Sequence, residues 1–175
     1  MRSHSDIDIS IFRDDAAALR RYLEGWDLQI ARDGVLTAWT TGTLAPPADS
    51  LWCRPDPAGP WRLQVMVDEG TPEEWVCHRH GDLRLPLDRA TVRTPGGVAY
   101  LRPEIQLLLK AEETRPKDDA DFAVVFPLLT APQAAWLTDA LERHHPGHRW
   151  VTNPPAPLTR IPVDQSSPPT SQEIP

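Results

Sequence analysis

Two aspartates near the start of the chain, Asp6 and Asp8, are the residues whose type and spacing most directly suggest chemistry. They alternate with Ile7, Ile9 and Ile11, a period of two that gives a strand one apolar and one polar face. Residues two apart on a strand project to the same side, roughly 7 Å from each other along the chain. Aspartate is a poor strand former, so two on one strand invite an explanation. A pair of carboxylates so placed suits a hard divalent cation, and magnesium completes its shell with substrate phosphates and water. A phosphoryl centre held against such ions is attacked in line, with attacking and leaving oxygens both stabilised. A solvated strand edge would carry the same short pattern, so the pair needs support from elsewhere in the chain.

The lysines offer some. Lys110 and Lys117 are the only two, against 16 arginines. Lysine is a compact, flexible point charge where arginine is a planar fork, and a triphosphate is one ligand for which the difference matters. Lys110 falls beside the apolar stripe of a predicted helix and Lys117 in the turn after it, with surface solubility as the plain alternative. Asp118, Asp119 and Asp121 read as caps of the following helix. Cys77, His78 and His80, with Cys53 as a fourth, are potential metal ligands, but their spacing matches no usual zinc pattern. His144, His145 and His148 surround Pro146-Gly147 and read as a surface turn. Trp52 and Trp75 are candidates for the wall of an acceptor pocket, although packing is the commoner role. No Gly-x-Ser-x-Gly elbow or nucleophilic triad is present.

The elements that must position these residues follow from pattern. After the first strand, Asp14 or Asp15 is expected to cap a helix through Leu23, with Leu19, Tyr22 and Leu23 inward and Gly25 as its stop. Trp26 to Ala31 and Val35 to Trp39 read as strands joined by Asp33-Gly34, a hairpin signal. Leu51 to Arg54, Trp61 to Val67 and Trp75 to His80 follow as strands, and Pro95-Gly96-Gly97 links Ala90–Arg93 to Val98–Leu101. From Pro103 the texture turns helical, with Ile105, Leu108, Leu109 and Glu112 at helical spacing until Pro116. Asp118 to Leu129 and Gln133 to His144 are two further predicted helices. Strand and helix first, strands in the middle and helices last indicate an α+β fold.

Residues 1–150 carry the folding signal as one domain, and 151–175 form a proline-rich stretch expected to be disordered. No apolar run approaches the ~20 residues that span a bilayer, and no signal segment is evident. The expected location is cytoplasmic, where Cys53 and Cys77 would be reduced and structural. A net charge of −7 opposes broad binding to a nucleic-acid backbone.

The segment Arg2-x-His4-x-Asp6-Ile7-Asp8-Ile9-x-Ile11-Phe12-Arg13 resembles the metal-binding strand of the nucleotidyltransferase superfamily. Within that superfamily it is most similar to aminoglycoside 2''-adenylyltransferase-like and lincosamide nucleotidyltransferase-like proteins. The resemblance continues through Leu51-Trp52-Cys53-Arg54-Pro55, Tyr100-Leu101-Arg102-Pro103-Glu104 and Lys110-Ala111 to Arg115-Pro116-Lys117-Asp118 and Asp121-Phe122, over about residues 2 to 150. It implies a mixed sheet with flanking helices and a C-terminal helical part. It also implies magnesium-dependent transfer of a nucleoside monophosphate from ATP or another triphosphate to a hydroxyl. Asp6 and Asp8 would then be the metal ligands, and Lys110, Lys117 and Ser5 would contact the nucleotide. A small, aminoglycoside-like acceptor is implied, and an acidic chain suits a cationic one.

The sequence departs from the family pattern at two places. Members carry a helix and a Gly-Gly or Gly-Ser motif shortly before the Asp-x-Asp strand, and the five residues preceding Asp6 do not contain it. A third carboxylate usually stands on a neighbouring strand, where this chain has Gln64, whose neutral amide cannot accept a proton as a carboxylate does. Asp68, four residues on, shares that face of a straight strand and is the provisional substitute; Glu69 points away. These departures keep open a catalytically impaired binding or regulatory protein. A toxin-type enzyme acting on RNA or on a protein hydroxyl is a further alternative.

Overall fold

The computed structural model of the protein describes residues 6–153. The chain divides into two compact units that meet in sequence at Arg102 and Pro103. That boundary falls where the sequence changes from strand-like to helical texture.

The first unit is built on a five-stranded mixed sheet. Its strands are β1 (Ile7–Phe12), β2 (Asp27–Arg32), β3 (Val35–Ala38), β4 (Ser50–Arg54) and β5 (Leu63–Asp68), in the order β1-β5-β4-β2-β3. β1 runs parallel to β5, and the remaining neighbours are antiparallel. The β2–β3 turn places Asp33 at φ 51° and Gly34 at φ 75°, the two left-handed positions of the hairpin that Asp-Gly favours.

One face of the sheet forms the core. Leu51, Cys53, Val65, Val67 and Leu28 are buried there, with Ile9, Ile11, Ile30 and Leu63 packed beside them. Helix α1 (Ala16–Tyr22) contributes Ala16 and Leu19, the residue after it contributes Leu23, and Trp39 and Leu44 complete the layer. Tyr22, expected on the inner side, is 87% exposed. Ala16, Leu19 and Leu23 already form the helical stripe, and position 22 turns away from it.

Arg13 fastens the end of β1. Its guanidinium donates to the carbonyls of Leu44 and Ala48, each at 2.8 Å, and pairs with Glu69. The Phe12–Asp68 pair is the last of the β1–β5 register, so Arg13–Glu69 continues it by one step. Hydrogen bonding from Arg13 holds the Glu69 carboxyl below the usual glutamate range.

Two small antiparallel pairs complete the unit: β6 (Glu74–Val76) with β7 (Arg84–Pro86), and β8 (Thr91–Arg93) with β9 (Ala99–Leu101). Helix α2 (Leu87–Ala90) joins β7 to β8. The strand expected over Trp75–His80 stops at Val76, because the Cys77 amide donates to the Leu83 carbonyl and Leu83 to that of His80.

The second unit is helical: α3 (Pro103–Ala111), α4 (Pro116–Val125), α5 (Ala131–His144) and α6 (Arg149–Thr152). Ile105, Leu107, Leu108, Phe122, Leu137, Leu141 and Trp150 are buried in it. The expected disordered stretch falls, from residue 154 on, outside the described residues, and α6 extends past its predicted start at 151. No helix among the described residues is long and apolar enough to cross a membrane.

Replacing Arg13 by Met leaves the Leu44 and Ala48 carbonyls without their donor. Urea unfolding is expected to show a loss of about 2–3 kcal/mol. Glu69→Gln removes only the half-exposed partner and should cost less than about 1 kcal/mol.

Candidate functional site

The second face of the five-stranded sheet carries the polar residues. Asp8 lies opposite Gln64, Gln64 opposite Trp52, and Trp52 opposite Gln29. Directly opposed residues share a face of a sheet, so Asp8, Gln64, Trp52 and Gln29 form one row across four strands. The flanking row is Ser10, Met66 and Ser50. Leu51 and Cys53, on either side of Trp52, are fully buried on the opposite face.

Asp8 is exposed near the start of β1, and Asp6 is half-buried in the bend just before it. The Ile7 amide donates to the Arg62 carbonyl at 3.0 Å, so regular pairing with β5 begins directly after Asp6. Asp8 beside the Gln64 amide offers oxygen donors of the kind magnesium accepts when phosphates and water supply the rest, and Asp6 precedes them in the chain. They do not form a closed cage. Among the described residues no three His, Cys, Asp or Glu side chains gather as a metal site. Ser5 lies outside the described residues.

The register bears on both candidates for the third carboxylate. Gln64 occupies the neighbouring-strand position next to Asp8 and lies 3.4 Å from the Ser50 hydroxyl through Nε2. Asp68 is on the same face but four residues further along β5, roughly 13 Å from Gln64. Oxygens sharing one magnesium lie within about 4 Å of each other, so Asp68 stands beyond the span of an ion held by Asp8. Its surroundings differ too. Asp68 is only 3% exposed, its Oδ1 accepts no hydrogen bond, and His78 Nδ1 is 3.6 Å from that oxygen. Glu69 is occupied by Arg13.

The lysines belong to the second unit, and one of them has a structural role there. Lys110, in the last turn of α3, places Nζ 3.0 Å from Asp118 Oδ1 and 3.0 Å from Asp121 Oδ2. Asp118 is fully buried, and its Oδ2 also accepts from the Arg115 backbone amide (3.1 Å) and from Arg115 Nε (2.8 Å). Burial alone would raise the Asp118 carboxyl; the hydrogen bonds from Arg115 and Lys110 outweigh it and hold the group far below the usual aspartate range. Asp119 accepts from Arg149 Nε at 3.0 Å and from Trp150 Nε1 at 2.7 Å, and Trp150 stacks on Phe122 at 4.2 Å. The Lys110-to-Phe122 segment thus ties helices α3, α4 and α6 together. Lys117 is exposed in the first turn of α4.

The other candidates are placed as follows. Trp75 is buried, whereas Trp52 is half-buried on the face that carries Asp8. Cys53 and Cys77 are free and buried, and burial raises the Cys53 thiol to about 11. Pro146 and Gly147 form the expected exposed turn, the flanking His144, His145 and His148 are half-buried, and His148 lies 2.9 Å from the Thr114 hydroxyl. Sequence reasoning passed over Arg54. It bonds Asp27 through Nε at 2.7 Å and lies 4.0 Å over the Trp61 ring. The Leu51-to-Pro55 segment contained the signal, since Trp52 and Arg54 share one face of a strand.

Lys110→Met leaves the buried Asp118 carboxylate with Arg115 alone and should lower unfolding free energy by about 1–3 kcal/mol. Lys117→Met should stay within about 0.5 kcal/mol of the parent protein; urea titration separates the two. The depressed Asp118 group also sets a pH dependence. Its contribution is complete above the ordinary aspartate value of about 3.9 and is lost as pH falls toward the folded-state value. Between about pH 6 and pH 2.5 the wild type should therefore lose more stability than Asp118→Asn, as read from unfolding midpoints.

Comparisons with family models, with curated proteins and with solved structures find no match to this chain.

Proposed function

We propose that this protein is a nucleotidyltransferase-like enzyme that binds a magnesium nucleoside triphosphate at Asp6 and Asp8. It would pass the nucleoside monophosphate to a hydroxyl of a small, cationic acceptor such as an aminoglycoside. The observation that carries the reading is the placement of Asp8, exposed on the polar face of an edge strand, with Asp6 just before it. The resemblance of the Asp6–Arg13 segment to the metal-binding strand of these enzymes supplies the reaction class. Bound magnesium would neutralise phosphate charge and polarise the phosphorus under attack. Asp6 and Asp8 would hold that ion through oxygen and orient the triphosphate along the sheet face. The acceptor oxygen would form its bond to the α-phosphorus as the bond to pyrophosphate breaks, and the hydroxyl proton would need a base.

That last requirement favours a second reading. Gln64 stands directly beside Asp8 where a carboxylate base would serve, and an amide does not take up a proton at neutral pH. The site would then bind magnesium nucleotide and turn it over slowly or not at all, acting as a binding or regulatory module.

Thermal shift with magnesium and ATP or GTP tests the shared premise. Stabilisation should appear only with both metal and nucleotide, and Asp8→Asn should abolish it; an equal shift in the mutant removes Asp8 from the metal site. Gln64→Asp separates the readings. If the missing base limits the enzyme, nucleotide transfer to an aminoglycoside acceptor should rise by about 10²-fold or more. Unchanged transfer with intact binding favours the regulatory module.

A further inference from the structure

We infer that Trp52 is the nucleobase platform of this site, a binding residue that stacks the base of the nucleotide whose phosphates meet Asp8. The inference rests on the nucleotide-binding reading above and assigns a second anchor within it. Trp52 stands in the same cross-strand row as Asp8, with Gln64 between them. Two strand spacings separate the two positions, roughly 9–10 Å. A gap of that order is one that a ribose and its first phosphates bridge. The row therefore presents an ion-binding end, an amide in the middle and an aromatic end to one extended ligand.

The surroundings of Trp52 hold it in place. Trp61 forms a T-shaped pair with it, with centroids 6.2 Å apart and planes at 61°. Trp61 is in turn covered by the Arg54 guanidinium at 4.0 Å, and Arg54 is fixed by Asp27 and by the Gly59 carbonyl. Such an edge-to-face pair holds the indole in place, and Trp52 stays only half-buried on the polar face of the sheet. Gln29, next in the row, has its amide held 2.5 Å from Asp27 Oδ1, and its carbonyl oxygen is of the right type to accept from the exocyclic amine of an adenine. A base has a π-face whatever its identity, so stacking provides affinity, and Gln29 would add one hydrogen bond to an exocyclic amine of the base.

The experiment compares two probes on the full chain, magnesium–ATP and magnesium–tripolyphosphate, by isothermal titration. Wild type should bind both, ATP more tightly. Trp52→Leu should weaken magnesium–ATP about ten-fold and leave magnesium–tripolyphosphate unchanged, whereas Asp8→Asn should weaken both. Equal affinity of wild type and Trp52→Leu for magnesium–ATP overturns the platform while leaving the metal site standing. Absence of binding of either probe to wild type overturns the metal site and the platform together. Should the leucine variant fail to fold, Trp52→Phe keeps a ring in place. ATP-dependent quenching of tryptophan emission should vanish in it, and quenching as strong as in wild type refutes the assignment.

Discussion

The parallel pairing of β1 with β5 is the constraint on which the candidate site depends. β1 lies at the edge of the sheet and has one neighbour. A slip of one residue would turn Asp8 into the core and push Ile9 and Ile11 outward, since alternate residues face opposite ways. Burial of Ile9 and Ile11 against Val65 and Val67 opposes that slip from one side. Arg13 opposes it from the end, because its guanidinium must reach Glu69 and two loop carbonyls at once. The position of Asp8 beside Gln64 is thus set by apolar packing and by one arginine, neither of which touches the carboxylates.

Much of this was legible in the residues. Alternation of Asp6, Asp8 and Ser10 with three isoleucines defined the first strand, Asp33-Gly34 the hairpin, and Pro103 the point where the chain changes character. Local chemistry decides these features, and local chemistry is what a sequence displays. The exposure of Tyr22 and the early end of the strand after Trp75 were not legible. They depend on which helical face the sheet accepts and on a loop closed by backbone hydrogen bonds from Cys77 and Leu83. The separation of Asp68 from Asp8 was hidden for a similar reason. A shared face can be counted from residue numbers, but the offset between strands is settled only by pairing.

Lys110 shows how one chemical observation can fit more than one role. In the structure the compact charge of Lys110 meets two carboxylates on α4, one of them fully buried. A single ammonium can donate to both, whereas a guanidinium brings a rigid planar fork. The motif running from Lys110 to Phe122 therefore reads first as the architecture of the helical unit. It is the kind of signature that a fold can retain whatever its sheet-borne site does.

The wide separation in sequence between β1 and its partner has a consequence for biosynthesis. Arg13 and Glu69 are 56 residues apart, and the strands they join share that spacing. The segment bearing Asp6 and Asp8 leaves the ribosome well before the segment that must flank it. Until then its isoleucines have no sheet to join and its aspartates no fixed geometry, and such unpaired strand edges are prone to aggregate. Long-range parallel closure is also slow once the chain is complete. The edge strand is thus translated early yet takes its place in the sheet late.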